Sequence, residues 1–364
     1  MTMLNSENAY CLILAGGLGR RLWPCSRENC PKQFIDFFGT GRSQLQQTWD
    51  RMQKIIDREH VFVNTNAAFA DIVREQLPDL PERNLLAEPI HRNTAPSVGW
   101  ACHRIQHLNP EANIIIVPSD QIIINEEQFA HDVAEGLDFV SQRNVILTMG
   151  IRPTRPEPGY GYIQVGDYSD TDNIYGVKSF IEKPDRSFAT MFMNSGEWYW
   201  NTGMFISSVR TIEECLKRIL PSVLLSFNDG PQYSEEAEQR YIDENFSRYP
   251  NLSMDYAVLE KSDNVYVKKC SFGWADVGTW HGIYEALPKD EAQNVSIDSD
   301  VVFDGSRGNV VKLPEGKLAV INGLEGYIVA EKDNVLLICK KEDSSALVRK
   351  YVNDVKMSKG DSYV

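Results

Sequence analysis

Residues 10–35 read YCLILAGGLGRRLWPCSRENCPKQFI. The first six form an apolar run with no polar interruption, the pattern of a strand buried on both faces. The run stops at Gly16-Gly17, where the chain must turn tightly. Strands of this kind belong to α/β folds, in which helices cover both sides of a sheet. The loop that follows is strongly cationic. Gly16, Gly17 and Gly19 let the backbone approach a ligand and aim amide groups at anionic oxygens. Arg20, Arg21, Arg27 and Lys32 come next, opposed only by Glu28, so the segment carries a charge of +3.

The pattern continues outward from this strand. Ser43 predicts the cap of a helix over 43–57, with Leu45, Trp49, Met52 and Ile56 on one face. Residues 60–63 read as a strand, 67–76 and 94–108 as helices, and 114–117 as a second buried strand. Residues 126–140 read as a helix and 145–149 as a strand. This alternation predicts a Rossmann-like parallel sheet covered on both faces. From Gly159 the pattern changes. Residues 159–162 and 177–181 read as strands of an inserted, mixed-sheet region, and helices return at 188–194, 209–219 and 235–246. The stretch PKDEAQN at 288–294 reads as a linker. Beyond it lie short β-like runs punctuated by Gly, Asn and Asp, then a helix at 345–352. These predict a small β-rich unit, a partial β-helix without a fixed period. The expected domains are 1–287 and 288–364.

The chain has 364 residues, with 37 Lys and Arg against 51 Asp and Glu, a formal charge of −14. Its mean field repels phosphate, which argues against nucleic acid or an anionic membrane as partner. A phosphate-bearing ligand must then be met by a local cationic cluster or a metal. The seven cysteines are scattered with no C-x-x-C, so neither a disulfide scaffold nor a zinc site is expected, and a reducing cytoplasm is. The first ten residues lack the basic and apolar regions of a signal peptide. No apolar run reaches the ~18–20 residues that span a bilayer.

The cationic loop fits neither common phosphate motif. In G-x-G-x-x-G, Leu22 would occupy the third glycine position, and G-x-x-x-x-G-K-[ST] does not occur in the chain. A plain strand–turn with solvated arginines is the ordinary alternative. Four cations behind the glycines, with Pro24 and Pro31 holding the loop, favour phosphate. Asp120 follows the second buried strand in IIIVPSD, beyond the carboxyl end of a strand, where α/β sheets place ligand groups. A single Asp there more often serves a turn. Asp276 lies in WADVGTW, and spacing does not pair it with Asp120.

The loop resembles the N-terminal signature of sugar-nucleotide pyrophosphorylases, G-G-x-G-x-R-L followed by P-K. Its fuller form W-P-x-S-R-x-x-x-P-K-Q-F, at 23–34, is similar to that of bacterial mannose-1-phosphate guanylyltransferases. Further strings carry the same resemblance: Glu88-Pro89 with RNTAP at 92–96, GYGYI at 159–163, FIEKP at 180–184, WNTGMF at 200–205 and DYAVLEK at 255–261. The likeness is dense over 10–285 and weak beyond. It implies a nucleotidyltransferase domain with a mixed central sheet, and roles for particular residues. Leu14, Ala15, Gly16, Gly17, Gly19, Arg20, Glu88, Arg92, Asn93 and Thr94 would bind the nucleotide. Gly161, Glu182, Lys183, Asn201 and Gly203 would bind the sugar phosphate. Arg20, Lys32 and Lys183 would be catalytic, and Asp120 with Asp276 would hold Mg²⁺. Two departures stand out. Gln121 replaces the His common after this Asp, so no role passes to it, and Thr202 replaces a Ser while keeping the hydroxyl.

The implied reaction joins GTP and α-D-mannose 1-phosphate into GDP-mannose and pyrophosphate. Alternatives are another nucleoside triphosphate or hexose 1-phosphate, or a non-catalytic regulator that binds sugar nucleotides. Some relatives carry a fused isomerase domain. Only ~75 residues follow the linker, below the usual size of a domain, so no isomerase activity is expected. Self-association as a homodimer through the β-rich tail is a further expectation.

Overall fold

A computed structural model describes residues 6–169, 171, 173–221, 233–342 and 344–364. Residues 1–5, part of the stretch read for a signal peptide, lie outside the described residues. The chain groups into two compact units. The first comprises Met1–Gly16, Trp49–Pro118 and Ile123–Trp274; the second comprises Gly17–Thr48, Ser119–Ile122 and Ala275–Val364. This division differs from a cut after residue 287, because the glycine loop and the segment around Asp120 group with the β-rich tail.

The strands up to residue 276 are β1 (Ala9–Leu14), β2 (Val61–Asn66), β3 (Leu85–Glu88), β4 (Asn113–Pro118), β5 (Gln121–Ile123), β6 (Ile146–Ile151), β7 (Gly161–Tyr168), β8 (Ile174–Glu182), β9 (Trp198–Ser208), β10 (Val265–Cys270) and β11 (Trp274–Asp276). The first unit is built on one sheet of order β3-β2-β1-β4-β9-β6-β10-β8-β7. The half containing β3, β2, β1 and β4 is parallel, as the uninterrupted apolar runs predict. The remainder is mixed. β9 lies antiparallel between β4 and β6, and β7 pairs with both β8 and β9. The core of the first unit follows helical spacing. Ala95, Val98, Ala101, Cys102 and Ile105 of the helix Thr94–Leu108 are buried with Leu12, Ile114 and Ile116 of the sheet. Full burial of a Val, Leu or Ile side chain among them stabilises by about 1.5–3 kcal/mol.

In the second unit, the strands β12 (Val295–Ile297), β13 (Asp300–Asp304), β14 (Val310–Lys312), β15 (Leu318–Asn322), β16 (Tyr327–Lys332) and β17 (Val335–Lys340) follow. β12, β14 and β16 stack in parallel, and β13 stacks in parallel on β15, as in a short solenoid. Side-chain amides tie successive coils. Asn309 Nδ2 donates to Asn294 Oδ1 at 3.0 Å, 15 residues apart, and the Tyr327 amide donates to Asn309 Oδ1 at 2.8 Å, 18 residues apart. The unequal steps are the physical reason that no period shows in the sequence. The predicted C-terminal helix is longer than read, Ser344–Lys359. Its Val348 and Val352 share one core with Val310, Ile328 and Leu337 of the coils, and with Leu22, Trp23 and Trp280. All seven cysteines are free, six of them buried and Cys30 partly so. No helix among the described residues is long and apolar enough to cross a membrane.

Candidate functional site

In the first unit, β1 carries Leu14 to the sheet's carboxyl edge. The next residue stays pinned to β2: the Ala15 amide donates to Asn64 O at 2.8 Å, and Thr65 Oγ1 donates to Ala15 O at 3.0 Å. The chain leaves the sheet only at Gly16, and a Cβ there would stand 4.0 Å from Asn64 Oδ1. Asn64, which sequence reasoning did not single out, also links to Glu88. Its Nδ2 donates to Glu88 Oε1 at 2.8 Å, and Ser97 Oγ donates to the same oxygen. Glu88 is 1% exposed. Burial pushes its carboxyl up from 4.5 to about 7, outweighing the two hydrogen bonds that favour the anion.

The helix Thr94–Leu108 begins beside Glu88. Asn93 adopts φ +63° and accepts the Thr94 amide at 3.0 Å. Thr94 Oγ1 accepts from the Met254 amide at 2.9 Å, and the Arg92 guanidinium donates to Ser247 O. These groups therefore also fasten the helix start to the segment 247–254.

The strings GYGYI, FIEKP and WNTGMF meet in register. Gly161 of β7 lies opposite Glu182 of β8 on one side and Asn201 of β9 on the other. A Cβ on Gly161 would fall 2.5 Å from Glu182 Oε2 and 3.4 Å from Asn201 Cβ, so glycine is what lets the Glu182 carboxylate sit here. Lys183 has φ +50°; its amide donates to Tyr160 O at 3.2 Å, and its ammonium pairs with Glu182. Gly203 follows at φ +72°. Asp255, quoted within DYAVLEK but given no role, accepts from Asn201 Nδ2 at 2.7 Å. Burial, then the nearby Glu182 carboxylate, raises its affinity for a proton.

The second unit holds the cationic loop. Gly19 sits in the left-handed region at φ +61°, where a Cβ would lie 2.5 Å from Ser26 Oγ. That hydroxyl accepts the Lys32 amide at 3.0 Å, and Gln33 Nε2 donates to Gly17 O at 2.9 Å. The loop thus closes on itself and sends the Lys32 side chain inward, where its ammonium pairs with Asp120. β5 and β11 pair as a two-stranded ribbon, with Asp120 just before the first and Asp276 at the end of the second. The two aspartates that spacing left unconnected are therefore neighbours in topology. Asp276 Oδ1 accepts the Gly278 amide at 2.7 Å. A Cβ on Gly278 would meet Lys32 Nζ at 2.7 Å, Asp276 Oδ1 at 2.8 Å and Arg21 Nη2 at 3.2 Å. Lys32, Arg21, Asp120 and Asp276 thus converge around one glycine. Arg20 points elsewhere, paired with Glu28 at 2.7 Å, and Glu28 also takes Lys356 at 2.8 Å. Arg21 was legible only as part of the loop's net charge.

Two carboxylates beside a lysine ammonium form an all-oxygen donor set already arranged around positive charge, which suits a hard cation such as Mg²⁺. In a different cluster, His131, Asp132 and Glu135 on the helix Glu126–Ser141, the two carboxylates hold the buried Lys268 ammonium, 2.5 Å from Glu135 and 3.5 Å from Asp132. That lysine supplies the cluster's positive charge.

The Nucleotidyl transferase family matches residues 10–293. The mannose-1-phosphate guanylyltransferase of Klebsiella pneumoniae is 34% identical over 361 residues, 97% of this chain and 75% of that protein. The alginate biosynthesis protein AlgA of Pseudomonas putida is 34% identical over 340 residues, 91% of this chain and 68% of that one. Among solved structures, one described as mannose-1-phosphate geranyltransferase from Thermus thermophilus superposes with a TM-score of 0.83. It is 29% identical and covers 96% of this chain and 99% of that one.

Proposed function

The chain belongs to the nucleotidyl transferase family, and within it we propose that the protein transfers GMP from GTP to α-D-mannose 1-phosphate, releasing pyrophosphate. The observation that carries this reading is near-full-length similarity to proteins named mannose-1-phosphate guanylyltransferase. The convergence of Lys32, Arg21, Asp120 and Asp276 supports it on chemical grounds. A phosphate oxygen of the sugar attacks the α-phosphorus of GTP, a new P–O bond forms, and the bond to the pyrophosphate oxygen breaks. The nucleophile is already an anion near neutral pH, so no general base is required. The barrier lies in bringing two polyanions together and stabilising charge on the departing pyrophosphate.

In this reading the backbone at Leu14 to Gly17 and at Gly19 lies along the nucleotide. Glu88, Arg92, Asn93 and Thr94 bind the same nucleotide. Glu182 accepts sugar hydroxyl hydrogens, Gly161 and Gly203 leave room for the ring, and Lys183 meets the sugar phosphate. Lys32, joined by Arg21, offsets phosphate charge, and Arg20 does so by exchanging its Glu28 pair for the phosphate. At an effective dielectric of ~20, one unit-charge pair at ~4 Å is worth about 4 kcal/mol. If made only in the transition state, that is on the order of three decades of rate. Asp120 and Asp276 are the residues that would hold Mg²⁺, which when bound neutralises phosphate oxygens as a Lewis acid. The proposed setting is the cytoplasm. We extend the reading to a homodimer through the second unit, where Leu318, Val320, Leu336 and Ile338 expose apolar side chains, to be checked by light scattering.

The test is direct. Purified protein is mixed with GTP, mannose 1-phosphate and Mg²⁺, and pyrophosphate is followed. Absence of release beside an active control overturns the proposal. A panel of four nucleoside triphosphates and several hexose 1-phosphates decides whether the base or the sugar is misassigned.

A further inference from the structure

Asn201 is 9% exposed, and its amide is almost fully committed. The Gly203 amide donates to Asn201 Oδ1 at 3.1 Å, and the Thr148 hydroxyl shares its one hydrogen between that oxygen at 3.1 Å and Met204 O at 3.2 Å. One of its two N–H groups goes to Asp255 Oδ1. Such a side chain has little left to offer a ligand. Asp255 is differently placed. It is half-buried on the turn Met254–Ala257, and among the described residues its Oδ2 accepts from no other residue's side chain. Glu182 is close enough that its charge disfavours the Asp255 anion. The Glu182 carboxylate and the Asn201 side chain that leads to Asp255 both pack against Gly161, which brings the two carboxyl-bearing segments to one strand junction.

Among the described residues, Glu182 and Asp255, with the Glu260 carboxylate near both, have one paired ammonium, that of Lys183; such a group of carboxylates repels an anion and suits a ligand rich in O–H donors. Neighbouring hydroxyls of a hexose have that character, since each donates one hydrogen and a carboxylate only accepts. We infer that Asp255, with Glu182, is the side chain that binds the sugar hydroxyls, and that Asn201 is a positioning residue acting through Asp255. The inference rests on the sugar-binding role proposed above for this strand junction. The DYAVLEK string then delivers the second carboxylate from outside the three strands.

The experiment compares wild type, Asp255→Asn, Asn201→Ala and the double variant, with mannose 1-phosphate, GTP and Mg²⁺. Asp255→Asn keeps the shape and one hydrogen-bonding oxygen, so its thermal unfolding should match wild type. Losing a charge-assisted bond should raise KM for the sugar phosphate about 10- to 100-fold. KM for GTP should stay within about twofold. Asn201→Ala should raise the same KM in the wild-type background and add less than about twofold to Asp255→Asn. A mannose 1-phosphate analogue lacking one hydroxyl should lose its disadvantage against the parent sugar in the Asp255 variant, if that hydroxyl is the one bound. An unchanged sugar KM in Asp255→Asn overturns the inference, as does no recovery of any monodeoxy analogue. Full additivity of the two substitutions overturns the positioning role of Asn201. Calorimetry of mannose 1-phosphate binding runs alongside. Wild type that binds the sugar phosphate through Asp255 yet releases no pyrophosphate refutes the proposed function and leaves this inference standing. Turnover with an unchanged KM refutes only the inference.

Discussion

Removing residues 288–364 should unfold the second unit and abolish activity. The coils and the C-terminal helix bury a face of the cationic loop. Leu22, Trp23, Phe37, Val277, Trp280 and Ile283 share a core with Val295, Val310, Ile328, Leu337, Val348 and Val352. Polar contacts add to this. Trp23 Nε1 donates to Tyr363 O at 2.7 Å, and Arg27 donates to Lys332 O at 2.8 Å and Ser362 O at 3.2 Å. At about 1.5–3 kcal/mol for each fully buried side chain, returning six to water costs on the order of 10 kcal/mol. Whole domains are stable by only about 5–15 kcal/mol. The truncated unit should therefore lose its fold, and with it the arrangement of Lys32, Asp120 and Asp276. The assay is paired: circular dichroism on heating, and pyrophosphate release with GTP and mannose 1-phosphate. A chain ending at Leu287 that melts cooperatively within about 5 °C of the full protein and keeps its turnover would refute the reasoning. The β-rich tail would then be an appendage rather than the support of the loop.

Asp120→Asn and Asp276→Asn should each lower pyrophosphate release by two or more orders of magnitude while thermal unfolding stays cooperative; near-full turnover in either would remove that residue from the metal role. Gly161→Ala places a Cβ 2.5 Å from Glu182 Oε2 and should raise the sugar-phosphate KM at least tenfold with GTP binding intact, as read by titration calorimetry. Glu88 gives a pH prediction. Its folded carboxyl titrates at about 7 against an ordinary 4.5, so the folded state holds the proton more tightly than the unfolded chain. Its stabilising contribution is then full below about pH 4.5 and is lost as pH rises to about 7, a difference of roughly 3 kcal/mol. Glu88→Gln should flatten that part of the profile, and urea melts of both proteins at pH 5 and pH 7.5 check it. An unchanged stability gap between the two at both values would show that the carboxyl titrates normally.

The parallel half of the sheet was legible because β1 and β4 are buried on both faces and so carry no polar alternation. β9 was not. Its eleven residues, WYWNTGMFISS, include Asn201, Thr202 and Gly203, which break the strand pattern because they serve local hydrogen bonds and a left-handed turn. Capping chemistry read well: Ser43 accepts the Gln46 amide and Gln46 returns a bond to the Ser43 amide, although the helix stops at Gln53 rather than running to residue 57. Among the candidate site residues, those named came from contiguous strings, whereas Asn64 and Ser97 lie outside every string and act on Glu88 from 24 and 9 residues away; Ser26 lies inside the 23–34 string, but its bond to the Lys32 amide shows only in the folded loop. Arg20 and Arg21 are adjacent and identical in type, and only the fold separates the arginine beside Lys32 from the one that pairs with Glu28.

The buried cysteines have a practical consequence. Burial pushes the thiol of Cys25 up to about 12 and that of Cys339 up to about 11, and raises Cys11 and Cys102 as well. Thiolate is the reactive form, so an alkylating reagent meets these sulfurs only when the chain opens around them. Cys11 and Cys102 belong to the sheet unit, Cys25 and Cys339 to the solenoid unit. The protein therefore carries natural chemical clocks in both halves. Mass spectrometry of modified peptides would time the opening of each, with no label added and no residue changed.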